Sequence, residues 1–241
     1  MNEFINKLLP FEREVFLALN GSGSAFWDNA MWTYTGLVTW IPMVLFILYV
    51  AFRNQQLKEG FLVLGAIVLV LLLSNLLTEF FFKPFFQRYR PSHHPDYKGL
   101  VKIMNNFRGG DYGFTSGHAT NSFGLAFFFS LLFRNRFVTI SMMFWAILNS
   151  YSRIYLGVHF ISDIVAGFIV GTVIGLFVYE IYIRIRIRYF NISLLEKKKS
   201  LYSKKQGNIL GIVIILYIAL VILFSPFLSS FSHSIIPESW F

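Results

Sequence analysis

The stretch 60–82, GFLVLGAIVLVLLLSNLLTEFFF, decides the class of this protein. It carries one ionisable side chain, Glu79, in a run long enough to cross the roughly 30 Å hydrocarbon core of a bilayer. In that environment its backbone polar groups are satisfied only within a helix. Working outward, five further apolar runs lie at 36–52, 116–133, 137–156, 161–183 and 208–228. The pattern predicts an all-α fold: a polytopic membrane helical bundle with about six transmembrane helices. Composition agrees, since 56% of the 241 residues are hydrophobic and only 14% charged, with a mean hydropathy of +0.59. These values exclude an ordinary soluble domain. No Gly/Ser/Pro-rich linker or internal repeat divides the chain, which reads as one domain over 1–241. It contains no cysteine, so disulfides and thiolate metal sites are excluded.

The N-terminal segment 1–35 is expected to be retained rather than cleaved as a leader, because Lys7, Pro10, Glu12, Arg13 and Glu14 interrupt any apolar core. Phe4, Leu8, Phe11 and Val15 recur at helical spacing, which predicts a helix lying in the membrane interface. Trp27, Trp32, Tyr34 and Trp40 follow as an expected aromatic belt at headgroup level. Of the 21 Lys and Arg residues, twelve fall in one set of loops: Arg53, Lys58, Arg134, Arg136, and the series from Arg184 to Lys205 that includes Lys197, Lys198 and Lys199. The positive-inside rule puts that set in the cytoplasm and the opposite loops, with both termini, on the extracytoplasmic side. The net charge of +9 then reports orientation and attraction to anionic lipid. No recognition motif supports a nucleic-acid partner.

Three short blocks carry the chemistry, all on the extracytoplasmic side. Asn75, Glu79 and Lys83 stand four residues apart on one helical face, and Glu79 is expected to neutralise Lys83. Arg90-Pro91 follows after six residues, bringing a second cation to the same anion, with Arg gripping phosphate oxygens bidentately and Lys acting as a point charge. In the second block Ser116 is a helix N-cap, Gly117 admits close approach of an anion to unpaired backbone N–H groups, and His118 is a proton donor for a departing alkoxide. The third block has Arg153, then His159, then Asp163 one helical turn on, a spacing that lets the carboxylate orient the imidazole as a nucleophile. Taken alone, His159 and Asp163 equally suit a buried hydrogen-bonded pair or two metal ligands. The long loop 84–115 reads as a lid or an insertion. Within it, His93-His94-Pro95-Asp96 reads as a solvated turn, and Arg108 as turn chemistry.

Together the blocks resemble those of the type 2 phosphatidic acid phosphatase superfamily over about 60–183, with Thr115 where its members commonly have Pro. The resemblance implies a helical membrane fold in which His159 takes up the phosphoryl group, Asp163 orients it and His118 is the general acid. Lys83, Arg90, Ser116, Gly117 and Arg153 would bind phosphate oxygens, with no cofactor and no metal. Soluble vanadium-dependent haloperoxidases share these motifs, and the six apolar runs argue against them.

The expectation is metal-independent hydrolysis of the terminal phosphate of a membrane lipid phosphate or diphosphate through a phosphohistidine, in a bacterial inner or plasma membrane. Phosphatidylglycerol phosphate, phosphatidic acid, undecaprenyl diphosphate and the phosphates of lipid A all fit. The alternatives are a lipid phosphotransferase and a noncatalytic lipid transporter or binding protein, with Asn75, Glu79 and Asn149 lining a path.

Overall fold

A computed structural model describes residues 5–190 and 200–231. Along the chain stand α1 (Leu9–Leu19), α2 (Ala25–Thr35), α3 (Leu37–Phe52) and α4 (Leu57–Asn75), the last continuing through a π-helical stretch, Leu76–Phe82, into α5 (Lys83–Phe86). After the loop come α6 (Gly117–Phe133), α7 (Arg136–Tyr155), α8 (Ile161–Phe190), α9 (Lys204–Leu223) and α10 (Ser225–Leu228). Among the described residues the one β feature is an isolated bridge between Tyr89 and Tyr112. The fold is all-α, as the apolar runs require.

A helix stands at each of the six expected positions, but the count of six spans is not reproduced. Three helices are long and apolar enough to cross a membrane alone, Leu57–Phe86, Ile161–Phe190 and Lys204–Leu223. The pair Ala25–Thr35 and Leu37–Phe52, bent by 52°, makes a fourth if it is one span. The two shortfalls have a physical cause. The helix α6 has 17 residues, most of them buried against its neighbours, and α7 carries Ser141, Asn149, Ser150, Ser152 and Arg153 on its buried face. α6 is the interior helix of the bundle, while α7 turns this polar side inward and Phe137, Ile140, Phe144 and Ile147 outward.

The tightest packing is between α6 and α8. Gly167, Gly171 and Gly175 recur every fourth residue on α8, and a Cβ on any of them would meet the α6 backbone, at Ser116, Thr120 and Gly124. Without a hydrophobic drive between helices in lipid, such close backbone approach is what holds them together. It also docks the N-terminus of α6 beside the first turn of α8. Local caps agree with the boundaries: Ser116 accepts from the Ala119 N–H at the start of α6, Asn135 caps α7, and Ser203 with Gln206 forms a capping box on α9.

In α1, Leu8, Phe11 and Val15 face outward, Phe11 at 85% exposure, which fits the expected interfacial helix; Phe4 lies outside the described residues. Glu12, one of the charged residues that interrupt the apolar pattern, points inward with Leu9 and Phe16. The aromatic belt needs correction too. Trp27 is exposed, but Trp32 and Tyr34 are buried, and Trp40 is turned inward with its indole N–H donated to the Tyr34 carbonyl. Because α2 folds back into the bundle, these rings pack against protein.

The cation-rich loops collect at one end of the bundle. Gln55 donates to the Leu201 carbonyl (3.1 Å), Gln206 to Arg53 (3.2 Å), Asn135 to Asn208 (2.9 Å), and Arg186 pairs with Glu59 (2.8 Å). Lys197, Lys198 and Lys199 lie outside the described residues. The Cys-free background allows a direct check of sidedness. Leu100→Cys, at an exposed position of the opposite loop (49%), is expected to react with an impermeant maleimide from outside intact cells, whereas Lys205→Cys reacts only after permeabilisation. External labelling of Lys205→Cys overturns the orientation.

Candidate active site

The motif blocks meet where α5, α6, α7 and α8 end together beneath the loop 87–115. The turn after α5 is made by Gln87 in the left-handed region (φ 44°), which releases the chain toward Arg88 and Arg90. The loop is pinned by the Arg90 N–H to the Asp111 carbonyl (3.0 Å) and the Gly113 N–H to the Arg88 carbonyl (2.9 Å). On the other side, the turn 156–160 is held by the Val158 N–H on the Arg153 carbonyl (3.1 Å). Gly157 takes a positive φ of 72° there, and a Cβ would collide with Val101. Asn20 braces this turn from the N-terminal segment, donating to Tyr155 (2.9 Å) while accepting from the Lys102 N–H (2.7 Å).

These ends surround a cavity of about 820 Å³. Of the eight site residues read from the sequence, Lys83, Arg90, Gly117, His118, Arg153 and His159 line it. Ser116 and Asp163 stand one layer behind, both fully buried. The Ser116 hydroxyl is occupied in capping α6, and its N–H donates to the Asp163 carbonyl (3.2 Å), so its contribution to the cavity is the placement of Gly117 and His118. Lys83 forms the expected ion pair with Glu79. Arg108 donates to the Ser92 carbonyl and works within the loop. His94 packs edge-on against Tyr97 and Phe160, so this part of the expected solvated turn is internal.

Charge at the site is unbalanced. Arg153 is 1% exposed and its one side-chain hydrogen bond is to the Thr35 hydroxyl (2.6 Å); among the described residues no carboxylate lies within 4 Å of it. Arg90, also buried, donates to the Val158 carbonyl (3.3 Å) and faces His159 Nε2 (3.1 Å). The Nε of each guanidinium, like that of Arg88, has no partner among the described residues. A buried cation without a counter-charge is costly, so this cavity is built for an anion.

The imidazole of His159 is oriented by the same contacts. A guanidinium only donates, so Nε2 must accept from Arg90, and the neutral ring carries its proton on Nδ1. Nδ1 faces Asp163 Oδ2 at 3.4 Å. Burial, then the charges of Arg90, Arg153 and Lys83, hold this imidazole well below its ordinary range, opposed by a hydrogen bond with the Gly113 backbone. It is therefore neutral at pH 7, with its reactive lone pair on the cavity side.

Sequence reasoning passes over two residues that anchor this arrangement. Arg88, fully buried, bonds Asp163 Oδ1 (2.8 Å), Ser162 (2.6 Å) and Glu12 (2.7 Å), and lies over the Phe160 ring at 4.6 Å. Glu12 in turn accepts from the Ser162 N–H and hydroxyl, both at 2.8 Å. With the Phe160 N–H on Asp163 Oδ2 (2.9 Å), the carboxylate beside His159 is fixed at both oxygens. The pairing of Arg88 and Arg90 across one residue was the available signal; nothing in the sequence singles out Glu12. Replacing Arg88 by Leu leaves two buried carboxylates without their shared cation, and is expected to lower stability by about 3–5 kcal/mol, read as an earlier unfolding transition in detergent. Glu12→Gln, which keeps the shape, should lose less.

Comparison with known proteins follows the same residues. The PAP2 superfamily model matches residues 62–187. The lipid A 4'-phosphatase of Porphyromonas gingivalis is 42% identical over 196 residues, covering 81% of this chain and 83% of that protein. The lipid A 4'-phosphatase of Bacteroides thetaiotaomicron is 41% identical over 172 residues, covering 71% of this chain and 75% of that protein. No solved structure matches.

Proposed function

Because this chain belongs to the PAP2 superfamily, we propose that it is a membrane lipid phosphatase that removes a terminal phosphate through a phosphohistidine, at the extracytoplasmic face of a bacterial inner membrane. Among the lipids the motifs admit, we take a lipid A-type phosphate as substrate, in keeping with the names of both relatives. The observation that carries the reading is the pair of buried guanidinium groups, Arg90 and Arg153, which have no carboxylate within 4 Å among the described residues, set around His159 with Arg90 on its Nε2.

The phosphate enters with its oxygens toward Lys83, Arg90, Arg153 and the Gly117 N–H at the start of α6. The helix dipole favours an anion at that point. In the free protein Arg90 occupies Nε2 of His159; an incoming phosphate competes for that guanidinium and frees the lone pair. Nε2 attacks phosphorus, the bond to the leaving oxygen breaks, and His118, which takes up a proton from solvent once the phosphate has brought its negative charge into the cavity, passes that proton to the leaving oxygen. The imidazolium formed at His159 is stabilised by Asp163, held by Arg88. His118 then takes a proton from water, whose oxygen attacks phosphorus and releases inorganic phosphate. Catalysis here is positioning and electrostatic stabilisation of the equatorial oxygens, which the three cations supply in place of a divalent metal. Membrane-embedded helices on the same cavity keep the acyl chains in lipid while the phosphate reaches the loops.

Purified protein in EDTA is expected to release phosphate from a phosphorylated lipid A precursor, and His159→Ala to release none; release that EDTA abolishes overturns the mechanism. His118→Ala should cost about 10²–10⁴-fold on the lipid and much less on p-nitrophenyl phosphate, whose leaving group needs no proton. The depressed basicity of His159 makes its own prediction: the neutral ring persists as pH falls below the ordinary value of about 6.5, so its ¹⁵N resonances titrate only in more acid solution. Bound phosphate, which adds negative charge, should move that midpoint upward, and a midpoint at or above 6.5 in the free protein contradicts the burial argument.

A further inference from the structure

The cavity continues below the phosphate-binding groups into the bundle, and its wall there is unusual for a membrane protein. Asn121 stands one turn below His118 on α6, Asn149 one turn below Arg153 on α7, and Asn75 two residue-quartets below Lys83 on the α4 side; all three line the cavity. A helical turn rises about 5.4 Å, so Asn121 and Asn149 lie directly beneath His118 and Arg153, and Asn75, two turns below Lys83, joins their tier through its bond with Asn121. Trp40 and Trp145, ring centroids 5.7 Å apart, close the wall below and beside them.

These amides are not satisfied by the protein. Asn121 donates to Asn75 (3.1 Å), but its own Oδ1 is buried without a partner. Asn149 is 8% exposed, and among the described residues no protein group hydrogen-bonds its side-chain amide. A hydrocarbon chain pressed against this tier would leave a buried acceptor and a buried amide unpaired, which is penalised more than a lost hydrogen bond is worth. An intramembrane polar tier facing a cavity marks the path of a polar ligand group.

We propose that Asn75, Asn121 and Asn149 form a second subsite that recognises the acyl linkage next to the phosphate, and thereby select an N-acylated phosphosugar. Asn149 donates to the amide or ester carbonyl of the substrate, and Asn121 Oδ1 accepts from its amide N–H or a hydroxyl. The spacing suits this pairing, since one turn separates Asn149 from Arg153, and an acyl linkage one or two ring carbons from the phosphate lies a comparable distance away. The chemistry ranks substrates. An N-acyl aminosugar phosphate offers both donor and acceptor, phosphatidic acid offers ester carbonyls alone, and a polyprenyl phosphate offers neither. Sites that hydrogen-bond a substrate group discriminate strongly against analogues lacking it.

The inference rests on the proposed phosphatase reading for its substrate class, and binding separates the two. Full-length His159→Ala protein in detergent is titrated with an N-acylglucosamine phosphate lipid, phosphatidic acid and undecaprenyl phosphate, following quenching of the cavity tryptophans. Tightest binding of the aminosugar lipid, weakened about tenfold by adding Asn149→Leu or Asn121→Leu with little change for undecaprenyl phosphate, supports the subsite. In catalytically intact protein the same substitutions should reduce the preference for the aminosugar lipid over p-nitrophenyl phosphate about tenfold, through KM. Equal binding of all three lipids, or equal weakening of all three in the variants with an unchanged melting transition, overturns it. Selective binding without phosphate release would instead retain the subsite and sink the phosphatase reading.

Discussion

The arrangement of the site depends on one shared cation. Arg88 joins a carboxylate from the N-terminal helix to one from the start of α8, and both are almost wholly withdrawn from solvent. The cost of burying an arginine is offset only when its charge and donors are met by well-placed acceptors, and here Glu12, Ser162 and Asp163 meet its two terminal amino groups. This one contact ties three stretches of chain that otherwise have separate means of support: α1 at the surface, the loop after α5, and the α6–α8 pair locked by its glycines. Because Asp163 is held at both oxygens, the ring of His159 has one preferred orientation, and the tautomer follows from Arg90 on its other side.

Against that neutralised layer, the cavity wall is deliberately left with charge to spare. Arg88 has its acids; Arg90 and Arg153 lack theirs, although they are as deeply buried. The contrast separates a cation that builds the site from cations that await a ligand. It also accounts for the neutrality of His159, since a protonated imidazole among three positive groups is disfavoured twice, by burial and by repulsion. An anion entering the cavity relieves both at once.

Much of this was legible in the sequence, and the parts that were not share a cause. Apolar runs locate all six long helices because exclusion of water forces helix formation, but run length alone does not tell a lipid-facing helix from an interior one. α6 is short because its neighbours, rather than lipid, surround it, and α7 is polar only on the side it turns inward, with Phe137, Ile140, Phe144 and Ile147 facing out. The three motif blocks converge as their spacing implies. Ser116 lies behind the cavity wall instead of on it, because an N-cap hydroxyl is committed to its own helix. Arg88 was hidden by its neighbour: the motif drew attention to Arg90, and only burial and partners show that Arg88, two residues earlier, has a separate role. Glu12 pairs with a residue 76 positions away, a relation no local pattern records. The Gly167, Gly171, Gly175 series drew no reading from the sequence, and its importance emerges only once α6 is seen lying on it.

The π-helical stretch at Leu76–Phe82 has a consequence for how this protein can vary. A wide turn accommodates an additional residue within a span, so Asn75 and Lys83 keep a phase relation that a continuous α-helix would not give them. Removing a single residue there would restore regular winding and swing everything beyond it by about 100°, carrying Lys83 off the cavity and the loop after it out of step with Asp111 and Gly113. The span could then still cross the bilayer, with nearly the same hydrophobic length. Its length is therefore set twice over, loosely by membrane thickness and strictly by rotational phase, and insertions or deletions in 76–82 should be tolerated far less than substitutions among its outward-facing phenylalanines.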